Sequence, residues 1–455
     1  MLELDFPNTI ETQPELLAHH YTEAGLNEQA IDYWHQAGKR ATQRSAHAEA
    51  ISHLTTALEL HGTQPVTPER TQRELMLRLA IGLPMTAIKG YGAPEVERTY
   101  TRAWELCQQV GARPFPVLFG LWRFYLLRAE YKTALEIGEL LRTNAQRAQD
   151  NTFIVGAHRA LGATLFYLGE VSAARKHLDQ GAALYDPQQH CSYLLFGVVD
   201  PGVACLAYAA WAVWWLGYPD QALEKCHEAL TLAKKLSHPF SLAFAFSFAA
   251  LLHQFRREWQ TVQQRAEATL TLCTEQAFPF WFGWAMILRG WALVEQGQGE
   301  EGTAQIRRGE FTWRDTGSEL GIPYFLSLLA EAHVKMGQAE EGFSVIAKAF
   351  AAVYDSDERW YETELYRLKG ELLRQETKTV AEAAEYFQQA IEKARCQGAK
   401  SLELRAVISL SRLWQGQGKQ KEARRMLHDI YGWFTEGFDT ADLKEANILL
   451  EELGS

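Results

Sequence analysis

The residues of this chain that could do chemistry are paired histidines, cysteines and carboxylates, and their spacing limits what they can do. His19 and Glu23 lie one helical turn apart, the spacing of two metal ligands on one face, beside a second imidazole at His20. A metal needs further ligands converging from another helix, and neither an H-E-x-x-H pattern nor a nearby Cys supplies them, so the three read as a solvated or packing group. His190-Cys191 and Cys226-His227 each join a nucleophile to a base, but adjacent helical residues do not face each other and cannot act as a couple. Glu300-Glu301 and Glu340-Glu341 fall at helix starts, where carboxylates complement the dipole without any acid–base role. Gly416-Gln417-Gly418-Lys419 lacks the glycine frame and the Ser or Thr of a phosphate loop. The reading is a non-enzyme with no catalytic residue, no metal and no cofactor.

The elements that must position these residues announce themselves by repetition. Ala222, Val262, Gly302, Gly342, Ala383 and Ala423 follow one another at intervals of 40, 40, 40, 41 and 40 residues. Most are followed four and seven positions later by apolar or small residues, such as Cys226 and Ala229 or Ile306 and Gly309, which lie on one helical face. A small residue on that face lets a neighbouring backbone approach closely. The pattern predicts stacked helix pairs, each too thin to bury a core of its own. No segment with strand periodicity competes with an all-α fold.

Across 455 residues, 47% hydrophobic content supplies enough apolar surface for one long array. The formal charge of −11 opposes general nucleic-acid binding. Six cysteines scattered without C-x-x-C spacing, most of them in apolar helical runs, suit a reducing cytoplasm. Met1 to Thr12 lacks the basic and apolar regions of an export leader. Val203 to Gly217 is charge-free but shorter than the roughly 18 apolar residues that span a bilayer, so it is expected to be an inner helix and not a membrane segment. Pro187, Pro201, Pro239, Pro279 and Pro323 mark boundaries between pairs, because Pro fits just inside a helix start. The expected divisions are N-terminal helical repeats over 1–62, central repeats over 63–200, regular 40-residue repeats over 201–438 and a capping helix over 439–455.

His158, Leu161-Gly162 and Leu165 with Ala174, Leu178 and Gly181 resemble the tetratricopeptide motif, although a period near 40 exceeds its usual length of about 34. The stretches Pro14 to Gly25, Gly90 to Glu97, Ser237 to Phe244, Leu368 to Leu373 and Tyr431 to Phe438 also resemble the C-terminal repeat region of large bacterial signalling ATPases of the AAA-like or STAND type, including those with an adenylate cyclase domain, and of MalT-like regulators. The resemblance implies a right-handed α-solenoid of about 10 to 11 tetratricopeptide-like pairs. It also implies a scaffold or sensor regulating an attached or separate ATPase or cyclase module. In that arrangement the first helix of each pair lines the concave face. The motif positions then place Trp211, Trp214, Phe244, Gln254, Trp284, Trp291, Tyr324 and Glu331 along a trough for a protein segment or small effector. An aromatic stripe at helical spacing also suits a packed core. Arg256-Arg257, at the end of one inner helix, reads as a solvated turn. The alternative function is a ligand-free oligomerisation or autoinhibitory arm.

Overall fold

The computed structural model describes residues 13–64, 67–111, 115–193, 197–375 and 380–454, without the side chains of His190 and Cys191. The expectations for Met1 to Thr12 and for the His190-Cys191 pair lie outside the described residues. Within them the chain forms 22 helices of ten residues or more and no strand, the right-handed α-solenoid that the tetratricopeptide resemblance implies. In chain order these are α1 (Pro14–Glu23), α2 (Asn27–Gln43), α3 (His47–Gly62), α4 (Pro68–Lys89), α5 (Pro94–Gln109), α6 (Phe115–Leu127), α7 (Tyr131–Ala148), α8 (Asn151–Tyr167) and α9 (Val171–Leu184). A short helical segment, Pro187–Gln189 and His190–Tyr193, precedes α10 (Pro201–Trp215), α11 (Pro219–Leu236), α12 (Pro239–Phe255), α13 (Trp259–Gln276), α14 (Pro279–Glu295), α15 (Gly299–Asp315) and α16 (Ile322–Met336). The array ends with α17 (Ala339–Ser356), α18 (Glu362–Gln375), α19 (Val380–Gln397), α20 (Lys400–Gly416), α21 (Gln420–Tyr431) and α22 (Ala441–Glu452).

Local chemistry sets the boundaries. Pro opens α10, α11, α12 and α14 at a position whose N–H has no intrahelical partner. The Asp200 carboxylate accepts from the Val203 N–H at 3.1 Å at the head of α10, and Asp150 does the same for Thr152 at 2.7 Å at the head of α8. From α6 onward the even-numbered helices up to α20 form an inner layer and the odd-numbered ones an outer layer. All of α10 except Leu206 is buried, as an inner helix requires, whereas α13 buries only Val262, Ala266, Thr269 and Cys273 along one stripe. No helix among the described residues is long and apolar enough to cross a membrane. All six repeat anchors are buried between paired helices.

The superhelix is wound so tightly that successive turns touch. The N–H groups of Glu319 and Leu320 donate to the Leu127 carbonyl at 2.8 and 3.1 Å, and those of Arg359 and Trp360 donate to the Tyr167 carbonyl at 2.9 and 3.2 Å. Further along, Ser401 donates to the Trp214 carbonyl at 2.6 Å, and the Glu436 carboxylate accepts from the N–H groups of Asp220 and Gln221 at 3.0 and 3.1 Å. The connectors into α16 and α18 and the first turn of α20 thus dock on the ends of inner helices, and the connector into α22 on the start of α11, about one superhelical turn earlier. Gly92 and Gly317 meet backbone to backbone in this seam: a Cβ on Gly92 would lie 2.2 Å from the Gly317 carbonyl oxygen.

Arg256 corrects the expectation of a solvated turn, whereas Arg257 stays exposed while pairing across the seam. Arg256 is buried and donates to Glu258 at 2.7 Å and to the Pro219 carbonyl at 3.0 Å; Arg257 reaches Asp442 at 3.2 Å and Glu445 at 2.6 Å. The seam brings α22 against the end of α12, so the carboxylate partners come from the same chain.

Candidate functional site: an arginine-lined aromatic cavity on the inner wall

The inner helices carry aromatics at helical spacing, and closure of the superhelix presses these rings together. Trp211 stacks on Phe248 with centroids 3.9 Å apart and planes 7° apart, and Trp360 from the following turn lies parallel to it at 6.2 Å. Of the eight trough residues, Trp211, Trp214, Phe244, Gln254, Trp284, Trp291 and Tyr324 are buried and Glu331 is half-buried. They lie on the inner wall, but the wall is closed over them and an open trough is absent there. Gln254 accepts from the Tyr324 hydroxyl at 3.1 Å, Trp291 donates to Glu331 at 3.1 Å, and Trp214 lies under the Arg405 guanidinium at 5.0 Å. Against the cost of its burial, the Lys335 salt bridge and the charge of nearby Arg367 hold the Glu331 carboxyl down at about 2.

Two of the eight, Phe244 and Trp284, line a cavity together with Arg123, Arg159, Tyr208 and Trp281. The space it encloses is narrow, about 30 Å³. Arg123 projects from α6 and Arg159 from α8, single cations inside the apolar runs Leu118–Leu127 and Ile154–Leu165. Both are almost fully buried, at 2% and 4% exposure. They flank the ring of Phe119 at 5.7 and 5.5 Å. Arg123 donates to the Tyr100 hydroxyl at 3.2 Å, and Arg159 donates through Nη1 to the Val199 carbonyl at 2.9 Å. Among the described residues no carboxylate lies within salt-bridge distance of Arg159. Burial, with Arg123 nearby, pulls the Arg159 guanidinium below its ordinary value, while burial raises the Tyr208 phenol to about 12.

Three unmet donors border this cavity. The Nε of Arg159 and the indole N–H groups of Trp281 and Trp284 are buried without an acceptor. Other buried indoles are satisfied: Trp122 donates to Thr164 at 2.9 Å, Trp211 to the Phe248 carbonyl at 3.0 Å and Trp313 to the Leu320 carbonyl at 3.0 Å. An unmet buried donor costs about 1–3 kcal/mol, so three around one cavity call for explanation. The motif positions fell on α10, α12, α14 and α16 and so missed both arginines; the available signal was a lone cation within each apolar inner-helix run.

His19 packs edge-on against Trp34 at 4.6 Å. Cys226 is buried with its thiol pushed up to about 12, while His227 is exposed on the opposite side. Among the described residues no group of three or more His, Cys, Asp or Glu side chains is placed to hold a metal.

No family model matches the chain. A protein of Rhizobium meliloti (strain 1021), itself described as uncharacterized, is 24% identical over 406 residues, covering 87% of this chain and 39% of that protein. The chain therefore spans about two fifths of the length of the curated relative it matches. Among solved structures, a Rap protein complexed with competence and sporulation factor superposes with a TM-score of 0.58 at 10% identity, over 81% of this chain and 99% of that one. Aspartyl phosphate phosphatase F from Bacillus subtilis gives 0.43 at 12% identity, over 81% and 94% of the two chains. The first of these likenesses supports the fold, a tetratricopeptide-like helical solenoid.

Proposed function

We propose that this chain is a non-catalytic sensor and scaffold, in which occupancy of the inner wall sets the pitch of the superhelix and an attached or partner module reads that pitch. The observation that carries this reading is that the cavity and the seam share residues. Leu127 and Leu320 both line the cavity, and the Leu320 N–H donates to the Leu127 carbonyl across the seam; Tyr167 lines it too and accepts from Arg359 and Trp360. A ligand that widens the cavity must strain those hydrogen bonds, and differential affinity for the tight and loosened forms is what shifts a conformational equilibrium. The Rap neighbour, solved with a bound factor, supports a ligand-responsive solenoid. The greater length of the Rhizobium relative supports attachment to further domains. For the reading module we propose a signalling ATPase or nucleotide cyclase, on the sequence resemblance, in a cytoplasmic setting without nucleic acid or membrane as partner.

The test is affinity capture from the native cell with wild-type chain and with Glu358→Ala, which removes the carboxylate that accepts from Tyr131, Gly321 and Trp360 at the seam. Recovery of an ATPase or cyclase by the wild type, at least about tenfold reduced with the variant, is expected. Equal recovery by both, or recovery of neither enzyme class, overturns the reading.

A further inference from the structure

The aromatic cavity between α6, α8, α12 and α14 offers donors and cations to whatever enters it. Its two arginines bring positive charge, and three buried N–H groups, from Arg159, Trp281 and Trp284, have no acceptor. A single water accepts two hydrogen bonds and brings no charge, so it leaves part of this set unmet. A ligand rich in acceptors and negatively charged answers both needs. The walls narrow the choice. Phe244 and Phe248 stack at 3.9 Å and Trp281 stands edge-on to Phe244 at 5.3 Å, so most of the lining is apolar ring surface, which disfavours a strongly hydrated dianion such as phosphate. The lining residues are all nearly inaccessible, so the cavity is closed to a polymer and admits only a small molecule that parts its rings.

We propose that this cavity binds a small organic carboxylate, whose oxygens accept from Arg159 and from the indole N–H groups of Trp281 and Trp284 while its apolar body lies against Phe244 and Phe248. This inference rests on the sensor reading for its biological meaning, but not for its chemistry. A planar carboxylate matches the fork of a guanidinium, and the narrowness of the free space requires the rings to part as the ligand enters. Leu127 and Leu320 border the same space, so entry is felt at the seam.

The test is isothermal titration of the purified chain with acetate, benzoate and indole-3-acetate. Benzamide serves as the neutral isostere, with phosphate and chloride as inorganic anions at matched ionic strength. Saturable one-to-one binding of at least one carboxylate, at least about tenfold tighter than benzamide, phosphate or chloride, is expected. Trp284→Phe keeps the ring and removes the N–H, and it should weaken that binding about tenfold or more, as loss of a hydrogen bond to a charged group does. Arg159→Met should abolish it; where that variant fails to fold, Trp284→Phe decides. Failure of all three carboxylates to bind, equal binding of benzamide, preference for an inorganic anion, or unchanged affinity in Trp284→Phe each overturns the proposal. Carboxylate binding that leaves hydrogen exchange at Leu320 and Trp360 unchanged would overturn the sensor reading alone. Seam-dependent enzyme capture without carboxylate binding would overturn only the cavity assignment.

Discussion

Gly302 shows how one hydrogen atom in place of a methyl sets the spacing of a helix pair. At the equivalent repeat position the chain elsewhere carries Ala222, Ala383 and Ala423, all fully buried, so a methyl group fits between those helices. Between α14 and α15 it does not. A Cβ on Gly302 would lie 2.6 Å from the Gly290 carbonyl oxygen, and one on Gly309 would lie 2.8 Å from that of Gly283. Paired glycines let these two backbones come closer than in neighbouring pairs, beside the stretch of α14 that carries Trp281 and Trp284. Gly302→Ala should therefore lower unfolding stability by about 1–3 kcal/mol, as overpacking does, despite its better helix propensity. Urea denaturation checks this, and an unchanged or raised midpoint would contradict the close approach. Trp211→Ala removes a fully buried indole and its bond to the Phe248 carbonyl, for an expected loss of about 3–5 kcal/mol by the same measurement.

The connector between α17 and α18 concentrates the seam on one side chain. Glu358, 1% exposed, accepts from the Tyr131 hydroxyl at 2.5 Å, the Trp360 indole at 2.7 Å and the Gly321 N–H at 3.0 Å, so it ties α7 to the connectors before α16 and α18. Nearby, Asp357 pairs with Lys132 at 2.8 Å and with Arg359 at 2.8 Å. Burial raises the Glu358 carboxyl from an ordinary 4.5 to about 7, against the opposing pull of its three hydrogen bonds. Between those values the folded protein holds a proton that the unfolded chain has released. This group's contribution to stability is therefore complete below pH 4.5, declines as pH rises, and is gone above about 7, a change of about 3 kcal/mol. Glu358→Gln should flatten that slope. Thermal melts of both proteins from pH 5 to 8 read the difference, and parallel profiles would remove Glu358 from the account.

An array with only neighbour contacts unfolds piecemeal, because each interface contributes separately. Here the seam adds bonds between residues 150 or more positions apart, such as Arg405 to the Phe255 carbonyl and Arg257 to Asp442, with Arg405 on the same carboxylate. The turns should accordingly unfold together. Wild type is expected to show a single urea transition by circular dichroism. Arg405→Met strips Asp442 of one buried partner, at about 3–5 kcal/mol, and should split off an early transition from α19 to α22. Two transitions in the wild type would mean that the seam contributes little.

The period near 40 and its small-residue anchors were enough to read the helix pairs, the inner and outer layers and the burial of Val203 to Gly217, because these follow from local periodicity and from faces that must find a neighbour. The identity of the wall residues followed from the tetratricopeptide resemblance, whose motif positions put Trp211, Trp284 and Tyr324 on the inner helices. Their state did not. Whether an inner wall is an open trough or a packed core depends on superhelical pitch, and pitch accumulates from small rotations at every interface, including the extra closeness allowed by Gly290 and Gly302. Only the tertiary structure brings Leu320 to Leu127, sets Arg123 and Arg159 from different repeats on either side of one ring, and gives Arg257 its carboxylates from α22. Each of those meetings is separated in sequence by a distance over which no local pattern carries information.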